Sequence, residues 1–74
     1  MKLGNLYSNK DGDILLYEGS YLEDYHTRVK MYRFKIIVGK SLTEGDFVEL
    51  SANYLNYLKE LPHNHPAWIL YGAK

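Results

Sequence analysis

Three stretches of this chain place chemistry-bearing residues close enough to be weighed as sites. His63-Asn64-His65 puts two imidazoles at i and i+2, a spacing from which an extended segment can present both to a metal ion. A metal needs a third or fourth ligand, and only His26, Glu60 or Asp46 could supply one, so a loop between Pro62 and Pro66 is the preferred reading. Asn9, Asp11, Gly12, Ile14 and Glu18 fall at positions 3, 5, 6, 8 and 12 of a calcium-binding loop. Position 1 would be Tyr7, which has no carboxylate, and the flanks read as strands, so a hairpin turn accounts for the same residues. Gly39-Lys40-Ser41 echoes the end of a phosphate-binding loop, but Phe34 stands where the upstream glycine should be. That segment is expected to be a turn.

Other catalytic arrangements are absent from the letters. Serines 8, 20, 41 and 51 have no elbow glycines on both sides, and the adjacent carboxylates Glu23 and Asp24 would point to opposite sides of an extended chain. There is no cysteine, which removes thiol nucleophiles, disulfides and thiolate zinc sites. An enzyme is not expected, and neither a cofactor nor a resident metal is. What remains is contact chemistry. Eight of the 74 residues are tyrosine, a side chain with a large apolar body and a polar tip that suits half-buried sheet positions and interface cores.

Charge is balanced overall but not along the chain. Residues 1–24 carry a net −3, residues 25–40 carry +5 with no acid, and the remainder carries −2. A net of zero argues against whole-molecule attraction to nucleic acid or to a membrane. The basic stretch fits a strand neutralised by its neighbours. It also keeps open a second function, in which residues 28–40 bind single-stranded nucleic acid, with Arg33, Lys35 and Lys40 meeting phosphates while nearby rings stack on bases.

The elements that must position these residues are short. Seventy-four residues make a single domain, residues 1–74, that buries only about 60% of its unfolded surface, so the stability margin is thin. Leu3–Ser8 and residues 14–21 read as a hairpin with its tip at Asp11-Gly12. Residues 19–27 read as a long loop. Residues 29–38 give the strongest strand signal, with Tyr32, Phe34, Ile36 and Val38 on a core face and Met31, Arg33, Lys35 and Ile37 on the other. Residues 42–46 form a turn before a strand at 47–50. A helix from Ser51 through residue 61 is expected from the spacing of Tyr54, Leu55, Leu58 and Leu61, with Pro62 as its stop. Trp68–Tyr71 is expected as a closing strand, apolar on both faces and in need of a cover, for which a homodimer is slightly favoured.

This order of elements, with Gly45-Asp46 turning into an apolar strand, resembles a small Src-homology-type barrel of about five strands. The fold class expected is therefore mainly β (α+β), either such a barrel or a curled antiparallel sheet, with one short C-terminal helix at about 51–61. No apolar run approaches the roughly 18 residues that span a bilayer, and no apolar stretch follows Lys2, so a soluble cytoplasmic protein is expected. In size and composition the chain resembles the accessory proteins of bacteriophages and mobile elements, which inhibit or redirect host machinery. The expected function is thus a non-enzymatic module that binds a larger protein, its contact residues drawn from Tyr21, Tyr25, Arg28, Arg33, Lys35, Trp68 and Tyr71.

Overall fold

The computed structural model describes residues 3–24, 26 and 28–71, with side chains for all of these except 23, 24 and 69–71. Five strands form one antiparallel sheet in the order β4-β3-β2-β1-β5, where β1 is Leu6–Ser8, β2 Ile14–Asp24, β3 Val29–Val38, β4 Phe47–Ser51 and β5 Lys59–Glu60. Two short helices complete the chain, α1 at Ala52–Leu55 and α2 at Pro66–Tyr71. Among the described residues β5 lies beside β1 and does not reach β4. Of the two architectures the sequence allows, an antiparallel sheet not closed into a barrel is the one formed. No helix of the described chain is long and apolar enough to cross a membrane.

Alternation in the strands divides the apolar residues between two faces. Tyr7, Leu15, Tyr17, Phe34 and Ile36 are buried on one side, where Tyr32, Val48, Leu50, Leu55 and Leu58 pack against them. Leu6, Ile14, Leu16 and Ile37 point the other way and meet Leu61, Ala67 and Trp68. The first may be named the α1 face and the second the α2 face. Three aromatic rings anchor the α1 face. Tyr7 meets Phe34 edge-on at 6.1 Å between centroids, and Tyr17 lies 5.4 Å from Phe34 at a tilt of 48°. These are the arrangements that ring quadrupoles favour.

Three expectations from the sequence are corrected. Residues 19–24 of the expected loop are strand instead, because β2 continues to Asp24 and pairs with β3 as far as Asp24↔Val29. Register shifts at Tyr17/Gly19 and Leu22/Asp24 insert extra residues into β2, so the two-residue period is broken and the strand hides in the sequence.

The helix at 51–61 shrinks to Ala52–Leu55. Its spacing is satisfied differently: Leu55 and Leu58 join the α1 face, whereas Leu61 crosses to the α2 face and donates its amide to the Leu6 carbonyl at 2.9 Å. The open edge of β1 offers ladder partners to Lys59 and Glu60, and extending the helix would forfeit them.

The closing strand at Trp68–Tyr71 is instead α2. Pro66 stands at its first position, where proline's fixed φ suits a helix and its missing N–H costs nothing. With a helix in place of a strand, the ground for expecting a homodimer, an uncovered apolar strand face, is removed.

Candidate functional site

Among the described residues the most constrained polar group is Asp13, which has no solvent-accessible surface. It sits at the start of β2, held there by the preceding turn. The Asn9 side-chain oxygen accepts the amides of Asp11 and Asp13 at 3.1 and 3.0 Å, and Gly12 takes φ +90°, a conformation glycine adopts without penalty. One carboxylate oxygen of Asp13 accepts the backbone amides of Lys40, Ser41 and Leu42, the last two at 2.9 and 3.1 Å. The other accepts the Asn9 amide at 2.8 Å and the Ser41 hydroxyl at 2.7 Å.

Burial is the largest single influence on this carboxyl and pushes its pKa up. Hydrogen bonds from the Lys40 amide, Asn9, Ser41 and the Leu42 amide together outweigh it, leaving the group well below the ordinary 3.8. The cost of burial is limited because the covering residues Lys40 and Ser41 are themselves exposed. Gly39-Lys40-Ser41, dismissed as a phosphate loop from its sequence, thus does present successive amides to an anion, and that anion is the chain's own Asp13. Gly39 is required there, since a Cβ would fall 2.2 Å from the Leu42 carbonyl oxygen. Asp13 was missed because its partners lie 27 to 29 residues away; the Asn9-to-Asp13 turn was the sole local signal.

The histidine pair is also committed to structure. The His65 ring accepts the Ala67 amide at 3.1 Å through Nδ1, which caps α2. His63 stacks on Trp68 at 4.6 Å between ring centroids. Trp68 is half-buried, and its indole N–H donates to the Leu61 carbonyl at 2.9 Å. No group of three histidine, aspartate or glutamate side chains suited to a metal occurs among the described residues.

Three of the expected contact residues converge on one surface. In antiparallel pairing, residues directly opposite each other share a face. Tyr21↔Met31, Gly19↔Arg33, Arg33↔Glu49 and Lys35↔Phe47 therefore lie on the α2 side of the sheet, beyond the end that α2 covers. The Arg33 guanidinium sits 4.3 Å from the centroid of the Phe47 ring. Phe47, Tyr21 and Val29 are 47%, 43% and 39% exposed, and Leu3 borders the same surface beside Gly19. Tyr21, Arg33 and Lys35, singled out from the sequence, are thus brought together, and Phe47 joins them unforeseen. Only the β3–β4 register could have revealed it.

Two of the other expected residues, Arg28 and Trp68, lie elsewhere. Arg28 is at the tip of the β2–β3 hairpin with φ 55°, an uncommon conformation for a side-chain-bearing residue. Trp68 belongs to the opposite end of the molecule. Tyr25 and the Tyr71 side chain lie outside the described residues. Of the eight tyrosines, Tyr7, Tyr17 and Tyr32 serve the α1-face cluster, whereas Tyr21, Tyr54 and Tyr57 are exposed. Comparison with protein-family models, with curated proteins and with solved structures finds no match to this chain.

Proposed function

We propose that this protein is a non-enzymatic protein-binding module that docks on a larger partner through the uncovered sheet face around Tyr21, Arg33 and Phe47. One observation carries the reading. Tyr21, Val29, Phe47 and Leu3 stay 39–66% exposed around one arginine, in a chain with little apolar side chain to spare from its core. Interface cores are enriched in aromatic residues and arginine, and depleted of lysine and aspartate. An Arg33 guanidinium already resting on a ring is preorganised for such a core.

Charge favours a protein over a nucleic acid. Glu49 stands opposite Arg33 in register, and Glu18 lines the same shallow hollow as Arg33 and Leu3. A phosphate backbone would meet both signs there, whereas a protein surface of mixed charge would not be repelled.

The test is a pull-down from a bacterial lysate with the unaltered chain and with a Tyr21→Ala, Phe47→Ala double variant. Capture of a defined protein by the first and its loss in the second is the expected result. Retention by the double variant would refute the assignment to this face. Affinity for single-stranded DNA that falls steeply with salt, with no protein captured, would replace the reading altogether.

A further inference from the structure

On the opposite side of the sheet, α1 does not close the apolar face completely. A groove of about 450 Å³ remains, floored by Leu15, Leu42, Val48, Leu50 and Leu58. Tyr54 and Tyr57, 58% and 67% exposed, stand along it as walls. The volume falls within the roughly 300–1,000 Å³ of small-molecule sites, which are mostly apolar with a few polar groups at defined places. Here the polar groups collect at one end. Asn9 and Lys10 continue from the groove into an adjoining hollow of about 270 Å³, whose other lining residues are Ser8, Tyr57 and Lys59.

Neither lysine makes an ion pair or a side-chain hydrogen bond. Asp11 is also on this rim: its carboxylate lies 3.3 Å from the Ser41 hydroxyl, whose proton goes to Asp13, and its amide donates to the Asn9 side-chain oxygen. An apolar trough thus ends near two lysines that form no ion pair among the described residues.

We propose that this groove binds a small amphiphilic carboxylate, its hydrocarbon or aromatic body lying between Tyr54 and Tyr57 and its carboxylate meeting Lys10 and Lys59. The floor supplies affinity through apolar burial, and the lysines set orientation and sign of charge. The site is separate from the face around Phe47, so either can fail without the other.

Decanoate and decyltrimethylammonium, which share a tail and differ in charge, are titrated below their micelle concentrations while amide and methyl resonances are followed. The expected result is saturable binding of decanoate, with shifts centred on Leu15, Val48, Leu50, Tyr54 and Tyr57, and weaker binding of the cation. Lys10→Gln and Lys59→Gln, both on exposed residues that leave the fold intact, should each weaken decanoate roughly two- to fivefold, as removal of an exposed ion pair does. Tyr21→Ala should leave it unchanged. Equal affinity for the two amphiphiles, indifference to both lysine changes, or shifts centred on Phe47 would each overturn the proposal.

Discussion

The long β2–β3 hairpin has two ends built on opposite plans. At the end where Ile14 pairs with Val38, one buried carboxylate accepts five hydrogen bonds from Asn9 and from residues 40–42, and glycine occupies the left-handed position of the adjoining turn. At the other end, Tyr21, Leu22 and Val29 are exposed, and arginine rather than glycine takes the left-handed position. Polar chemistry is consumed by structure at the first end. At the second, apolar surface is left without a structural task. The same pair of strands therefore serves as anchor and as presenting arm, and the candidate interface belongs to the arm.

This contrast breaks most visibly at Asp13. Asp13→Ala strands several part-buried donors at once, and buried unsatisfied groups cost about 1–3 kcal/mol apiece. Allowing for relaxation and water entry, a loss of about 3 kcal/mol is expected, a large fraction of the stability of a domain this small. Chemical denaturation of the variant beside the parent measures it. A loss under about 1 kcal/mol would mean that the turn, not the carboxylate, holds this end.

Acid sharpens the same point without mutation. The folded-state pKa of Asp13 lies below its unfolded value, so its stabilisation is fully present at neutral pH. It is lost as the pH falls through and below the ordinary 3.8. Denaturation midpoints collected between about pH 6 and pH 2 should decline, and the decline should flatten in a folded remnant of Asp13→Asn. An identical slope in that variant would assign the acid sensitivity to other carboxylates.

At the arm the effects are smaller, and one reverses in sign. Arg28→Gly relieves a strained backbone position and should raise stability by about 0.5–1 kcal/mol, offset in part by the freer unfolded chain. If the variant is stabilised yet weakens partner capture, the arginine is retained for contact. Tyr21→Ala, in contrast, should cost a little stability, less than about 1 kcal/mol, the range of a cross-strand pair with Met31. A larger loss would move Tyr21 from the interface to the framework.

Where the two-residue period ran on, as it does in β3 up to the register shift after Ile36, the sequence was sufficient. Val29–Val38 is a strand at the expected bounds, with Phe34 and Ile36 buried, because a two-residue period is written locally. The Asn9–Asp13 turn and its hairpin were legible for the same reason: each residue bonds its near neighbours. Of the proposed face, Tyr21, Arg33 and Lys35 could be nominated by type, but their union with Phe47 could not, since it depends on how β4 registers against β3.

By itself, then, the sequence determined a small, mainly β chain with a strong central strand, a hairpin at its start and more tyrosine than its core takes up. Tertiary structure decided the rest. It bent residues 59–60 into a ladder on β1, turned Pro66–Tyr71 into a helix capped by His65, and set Asp13 against amides nearly thirty residues away. Each of those outcomes turns on which hydrogen-bond partner a backbone or carboxylate group finds at long range. Such partners exist only once the chain has folded back on itself.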